Sequence, residues 1–194
     1  MIAKRLQESF KEYFDAPIET WLEFAELCEI VEFKKNEIMK RSGMTEKYHY
    51  YILNGSAGIF IWKENSYVCI DLVYEDEFFD DYMSFITGEP SQLETVALEN
   101  SEMLRISKDS MNELKQTPIG SSMFLIATEL QFVNKQKQQI DLLLKTAEQR
   151  YIDLLEKQPL LIQRTQQKHI ASYLGITTQS LSRIRKKIAD NKSQ

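Results

Sequence analysis

The spacing of apolar residues along the chain changes character twice. Up to about residue 28 it has a helical period. Leu6, Phe10, Tyr13 and Phe14 share one face, and Ile18, Leu22, Ala25 and Leu27 continue the pattern after Pro17. From Glu29 the period drops to two. Short β-branched and aromatic runs, IVEF (30–33), YYIL (50–53), AGIFIW (57–62) and YVCIDLV (67–73), are separated by KKNE, NGS and KENS, which carry turn chemistry. Asn54-Gly55 suits a two-residue turn because both residue types tolerate positive φ. After a helix-compatible stretch, FFDDYMSFITG (78–88), two more strands are expected in QLETVALE (92–99) and EMLRI (102–106). Short strands at this spacing predict a small antiparallel roll or sandwich over roughly residues 29–106.

The helical period returns at Lys108 and persists. One short helix is expected from Lys108 to Gln116, and Pro118 suits the first turn of the next. In that second helix Ile119, Met123, Ile126, Leu130 and Val133 alternate spacings of four and three, the a/d seam of a coiled coil. Lys137 interrupts the seam, Ile140 and Leu144 resume it, and Gln131, Asn134, Lys135, Gln136, Gln138 and Gln139 supply a polar outer side. Packing against the chain's own roll would use a similar stripe. Its regularity over about three heptads favours a dimer interface. Three further helices are expected in AEQRYIDLLEK (147–157), TQQKHIASYLG (165–175) and TTQSLSRIRKKIAD (177–190). The predicted class is α+β: a jelly-roll-like antiparallel β-roll with flanking helices over 1–116, a long dimerisation helix and hinge over 117–146, and a helical domain over 147–194.

Composition narrows the function. The 194 residues are 43% apolar and 27% charged, with ten Gly and Pro in all, which excludes disorder and fibrous repeats. No apolar run approaches the ~20 residues of a membrane span, and the first residues are charged and amphipathic, so a cytoplasmic protein is expected. Cys28 and Cys69 alone cannot build a disulfide framework, a structural zinc site or a four-thiolate iron–sulfur cluster, and no metal or cofactor is expected. There is no Gly-rich phosphate loop, nucleophile elbow or histidine cluster, so the chain does not read as an enzyme. The charge of −5 is unevenly spread. Residues 1–146 hold 15 Lys and Arg against 25 Asp and Glu, a net of −10; residues 147–194 hold nine against four, a net of +5. A basic end on an acidic body suggests nucleic acid as the partner of that end.

That end also carries the sharpest local signal. Ile170, Ala171 and Leu174 form an apolar stripe, Gly175 stands where a left-handed residue is wanted, Ile176 fills the gap, and Thr177 can cap the following helix. Leu181, Ile184 and Ile188 make the buried side of that second helix over 177–188. Its other side offers Thr178, Gln179, Ser180, Ser182, Arg183 and Lys186, the residue types that read base edges, and Arg183 can hold guanine bidentately. Lys168, Arg185, Lys186 and Lys187 can neutralise phosphates.

The segment LGITTQSLSRIRKK resembles the recognition helix of the Crp/Fnr family of bacterial transcription regulators, and the order of β-roll, long helix and helix-turn-helix is similar over nearly the whole chain. The resemblance implies a homodimer whose recognition helices enter successive major grooves of a near-palindromic duplex site, with base readout by Thr178, Gln179, Ser182 and Arg183. An activator of this type would also contact RNA polymerase, though no motif marks the patch. Family members usually follow the recognition helix with a β-hairpin wing, for which IADNKSQ is too short, so its backbone contacts are expected to be absent or supplied elsewhere.

The resemblance also frames an effector site. Relatives that bind cyclic nucleotides use a Phe-Gly-Glu step and an Arg in a Pro-Arg-x-Ala-Thr-like segment to cradle ribose and phosphate. Here the corresponding residues are Phe79, Asp80, Asp81, Gln92 and Thr95: aspartate replaces the glycine and neutral Gln92 replaces the arginine. Losing the charge-assisted pair costs on the order of 1.5–3 kcal/mol, and the acidic run from Glu75 to Asp81 repels a phosphate further. A deficit of ~3 kcal/mol is more than a hundredfold in affinity, so cyclic AMP is not the expected effector and the actual effector is left open. The acidic run itself reads more readily as a solvated loop than as a cation site. Haem would rest on His49 alone, because His169 lies in the helix-turn-helix. The competing reading is a sensor of a small molecule, cyclic nucleotide or other, whose C-terminal end makes protein contacts.

Overall fold

The computed structural model describes residues 1–64 and 66–192; Asn65, in the expected KENS turn, and Ser193 and Gln194 lie outside the described residues. Two helices, α1 (Ile2–Phe10) and α2 (Ile18–Glu26), precede eight strands: β1 (Cys28–Phe33), β2 (Ile38–Lys40), β3 (Tyr48–Asn54), β4 (Ala57–Lys63), β5 (Ser66–Val73), β6 (Phe78–Phe79), β7 (Leu93–Ala97) and β8 (Ser101–Ser107). A short helix, α3 (Tyr82–Thr87), lies between β6 and β7. The strands form two antiparallel four-stranded sheets, β1-β8-β3-β6 and β2-β7-β4-β5, whose inner faces enclose Tyr50, Ile52, Ala57, Ile59, Val73, Phe79 and Met103. The α+β roll is as the periodicity predicts. The three-residue β2 and two-residue β6 went unrecognised because so few positions carry no period, and β6 takes Phe78 and Phe79 out of the expected helix.

Each sheet is also covered on its outer face, which explains why its central strands are apolar on both sides. On the first sheet, Tyr51, Leu53, Leu104 and Ile106 pack under α1 and α2 with Leu6, Trp21 and Phe24. On the second, a register shift between Ile59 and Phe60 pairs Phe60 with Cys69. Phe60, Cys69 and Leu72 then join Tyr151, Leu154, Leu161, Ile170, Ala171, Leu174 and Leu181 of the C-terminal helices in one core. The turn at Asn54-Gly55 uses positive φ only at the glycine (φ 100°), where a Cβ would stand 2.2 Å from the Ser101 hydroxyl.

The rest is helical: α4 (Lys108–Lys115), α5 (Pro118–Leu144), α6 (Ala147–Lys157), α7 (Pro159–Arg164), α8 (Gln167–Tyr173) and α9 (Thr178–Lys192). Only α7 was not foreseen; its six residues span less than two turns, and Pro159 reads equally well as the end of α6. The long α5 starts on Pro118 behind a Thr117 cap, and Thr146 with Gln149 forms a capping box at the start of α6. Among the described residues no helix is long and apolar enough to cross a membrane.

Candidate nucleic-acid interface and effector pocket

The segment expected to be a helix-turn-helix consists of α8, a turn at Gly175, and α9. Gly175 sits at φ 68° with open space around it, so its requirement is backbone conformation alone. The Thr177 hydroxyl accepts the Ser180 amide at 3.2 Å, capping α9. Leu181 is fully buried and Ile184 and Ile188 lie half-buried beside it, as expected. The opposite face carries Thr178, Gln179, Ser182, Arg183, Arg185 and Lys186, all exposed, with Lys168 exposed on α8.

Two expected contacts are placed differently. Ser180 is half-buried, and its hydroxyl lies 3.0 Å from that of Thr177, so it serves the cap more than the open face. Lys187, expected to be a free cation, pairs with Glu148 of α6 at 2.8 Å. A cleft of about 410 Å³ between β5 and this unit is lined by Ser66, Tyr67, Lys168, Ser172, Thr177 and Thr178, and it leaves the start of α9 open.

Residues that sequence reasoning passed over hold the unit in place. Arg150 of α6 donates to the Lys145 carbonyl (2.6 Å) and the Leu174 carbonyl (2.7 Å), closing the ends of α5 and α8 together. Ser172 Oγ accepts the Cys69 amide at 2.8 Å and donates to the Tyr67 carbonyl, stapling α8 to β5. The His169 ring lies 5.0 Å from that of Phe60, and burial beside Lys168 lowers its pKa. Arg164, at the end of α7, forks between Glu75 and Glu99 of the roll. A lone arginine in a basic region gives no sequence signal of such partners.

At the expected effector site the charged side chains are paired with one another. Lys40 of β2 is buried, and its ammonium donates to Asp81 Oδ2 (2.6 Å), Ser91 Oγ (2.9 Å) and the Leu93 carbonyl (2.9 Å), which uses all three donors. Asp81 caps α3 through the Ser84 amide and also accepts from the Ser91 hydroxyl, so the helix N-terminus already holds a carboxylate. His49 Nδ1 meets Asp80 Oδ2 at 2.9 Å, its ring stacked 4.9 Å from Phe78. Phe79 faces the core between the sheets and Thr95 is fully buried, while Gln92 is exposed and accepts from Ser42. Beside them Glu46 is 3% exposed. It accepts the Lys47 and Tyr48 amides on one oxygen, and the other has no partner. Burial pushes its pKa up to about 7 against the pull of those amides, and Asp80 adds to the rise.

The acidic run is therefore no solvated loop. Glu75 holds Arg164, Asp76 holds Arg5 and Tyr51, Glu77 accepts the Tyr74 amide, and Asp80 and Asp81 are buried with His49 and Lys40. No grouping of His, Cys, Asp or Glu among the described residues has the arrangement of a metal site.

The expected dimer seam is divided. Met123 packs with Phe124 against the core under α1 and α2, Ile119, Ile126 and Leu130 are half-buried, and Val133 is exposed. Ile140 and Leu144, which resume the seam, are 51% and 79% exposed, and Leu125, Phe132 and Leu143, about a third of a turn around α5, stand 61–77% exposed. Tyr82, Met83 and Ile86 of α3 are exposed as well, and the Tyr82 hydroxyl reaches Thr128 of α5. The N-terminal part of the seam thus lies partly against the chain's own roll, while its C-terminal part, from Val133 on, is exposed.

Residues 30–117 match the family model of the cyclic nucleotide-binding domain. No curated protein matches the sequence. Among solved structures the chain is similar to the c-di-GMP-responsive global regulator CLP of Xanthomonas campestris, at 17% identity and TM-score 0.68 over 91% of this chain and 93% of that one. It is also similar to FixK2 of Bradyrhizobium japonicum, at 15% identity and TM-score 0.70 over 85% and 86%. The catabolite activator protein of Thermus thermophilus aligns at 16% identity and TM-score 0.52 over 97% and 88%. The roll therefore matches the cyclic nucleotide-binding domain family, and the chain as a whole shares the fold of Crp/Fnr-type regulators.

Proposed function

We propose that the chain is a homodimeric, sequence-specific DNA-binding transcription regulator of the Crp/Fnr type that does not respond to cyclic AMP. In this reading residues 1–116 form the sensor-like roll, 117–146 the dimer helix and hinge, and 147–194 the DNA-binding domain. The observation that carries it is the outer face of α9. Thr178, Gln179, Ser182, Arg183 and Lys186 stand exposed there over a packed Leu181–Ile184–Ile188 side, and Arg183 makes no ion pair among the described residues. A helix so supported keeps its cations for a polyanion and its amides and hydroxyls for base edges. The bare apolar stripe of α5 through Leu125 and Phe132, continued by Tyr82 and Met83, supports pairing of two copies along that helix. The lack of a cyclic AMP response rests on Lys40 and Asp81, which use up the cationic donors and the helix N-terminus that a phosphate would need.

Selection from random duplex DNA tests the reading. The expected result is a two-fold symmetric site, with Arg183→Ala binding it about 10- to 100-fold more weakly and losing discrimination at one base pair per half-site. Absence of any enriched sequence with the wild-type protein refutes DNA recognition by the free chain and leaves the small-molecule sensor reading.

A further inference from the structure

Besides the Ser172 staple, the roll meets the C-terminal helices through a charged centre at Arg164, the last residue of α7. Arg164 Nη1 and Nη2 meet the two oxygens of Glu75 at 2.7 and 2.8 Å, and Nη2 meets Glu99 Oε2 at 2.5 Å. Nε reaches Glu99 Oε1 at 3.3 Å, and Nη2 reaches the Gly55 carbonyl at 3.2 Å. The guanidinium lies over Tyr74, whose hydroxyl bonds Thr165 of the next turn. Burial pushes Glu75 and Glu99 up, but the Arg164 hydrogen bonds outweigh it and hold both carboxyls below their ordinary values. A doubly forked guanidinium fixes direction as well as distance, which a lysine ammonium does not.

The partners are themselves fixed. Glu75 belongs to the turn whose next residues hold Arg5 and Tyr51 (Asp76) and the Tyr74 amide (Glu77), and which runs into Phe78–Asp81. Glu99 also accepts from the Ser56 hydroxyl. The clamp thus joins this side of the roll to the last residue of α7, three residues ahead of α8.

We infer that Arg164 is a positioning residue: forked between Glu75 and Glu99, it fixes the orientation of the helix-turn-helix on the roll and thereby the spacing of the two half-sites a dimer can read. The spacing part rests on the DNA-binding reading above; the docking part does not. Dimeric helix-turn-helix proteins read half-sites about 34 Å apart, so a unit free to swivel tolerates other spacings while its base contacts stay the same.

The test uses the full chain as wild type, Arg164→Gln, Arg164→Lys and Glu75→Gln/Glu99→Gln. Hydrogen exchange is followed in β5 and α8, where the Cys69 amide reports docking, with β1 and β3 under α1 and α2 as the internal control. Duplex libraries then carry one half-site pair at spacings varied by single base pairs. The inference expects exchange at least tenfold faster in β5 and α8 for Arg164→Gln and for the double glutamine variant, with the control unchanged, and an intermediate value for Arg164→Lys. It also expects the half-site bases to be retained while the spacing preference broadens. Wild-type exchange rates in either uncharged variant overturn it, whether or not DNA is bound. Faster exchange with an unchanged single spacing reduces Arg164 to a stabilising contact and overturns positioning. If the wild type selects no DNA sequence, the regulator reading and the spacing claim fall together, while exchange still decides whether the clamp docks the unit.

Discussion

The acidic turn at residues 75–81 and the basic face of α9 look alike in the sequence, as two dense runs of charge, and the structure treats them in opposite ways. In the turn every carboxylate has an internal partner, and two of the five, Asp80 and Asp81, are buried. On α9 Arg183, Arg185 and Lys186 point outward without ion pairs among the described residues, and only Lys187 is engaged, with Glu148. A charge already satisfied inside the chain contributes to the architecture, and a charge left unsatisfied at the surface remains available to a partner. Burial and pairing, rather than charge density, separate the two.

The comparison is broken most forcefully at Lys40. Removing one member of a buried pair leaves the other as an uncompensated charge, so Lys40→Met should lose about 3–5 kcal/mol of stability in urea unfolding at pH 7. Adding Asp81→Asn should recover part of that loss. A Lys40→Met loss below about 1 kcal/mol would show that the Lys40 site is solvated and that the pocket is open after all.

Glu46 gives a smaller effect with a sign set by pH. Its carboxyl is raised from its ordinary 4.5 to about 7, so the folded state keeps a proton that the unfolded chain releases between those values. The resulting stability is complete below pH 4.5 and disappears as pH rises through 7, a span equivalent to about 3 kcal/mol. Glu46→Gln keeps an acceptor for the Lys47 and Tyr48 amides and cannot ionise. Relative to wild type it should therefore gain up to about 3 kcal/mol at pH 8 over its value at pH 4. Parallel pH–stability curves for the two proteins would contradict the burial of this carboxyl.

Which parts were legible follows from the same physics. Strands and helices long enough to repeat a period, such as β4, β5, α5 and α6, could be read directly, and so could the pair α8 and α9 with the turn between them, because Ala171, Gly175, Thr177 and Leu181 are local requirements at fixed spacing. Tertiary partnerships could not. Nothing near Lys40 in sequence announces Asp81, 41 residues away, and nothing near Arg164 announces Glu75, 89 residues away. The substitutions at Asp80 and Gln92 pointed to a lost phosphate site. That a buried lysine from β2 pairs with Asp81 there was beyond sequence patterning, because β2 is three residues long and its partner lies 41 residues away. A heptad count ranks the faces of α5 by apolar content alone, and it cannot see that Met123 of the seam already packs with the core under α1 and α2 while Val133, Ile140 and Leu144 stay exposed.

The finest test of the comparison sets two neighbouring lysines on α9 against each other. Lys186 is exposed without an ion pair among the described residues, whereas Lys187 is held by Glu148. A lysine that neutralises one phosphate contributes about 0.9 to the slope of log affinity against log salt. Lys186→Ala should therefore weaken binding similarly for every duplex sequence and flatten that slope by nearly one. Lys187→Ala should leave the slope almost unchanged and cost at most about 1 kcal/mol of stability, as an exposed pair does. Titrations of wild type and both variants from low to physiological salt decide the matter. Equal flattening by the two substitutions would mean that Glu148 releases Lys187 when DNA arrives, and that internal pairing at an exposed site does not withhold a charge from a polyanion.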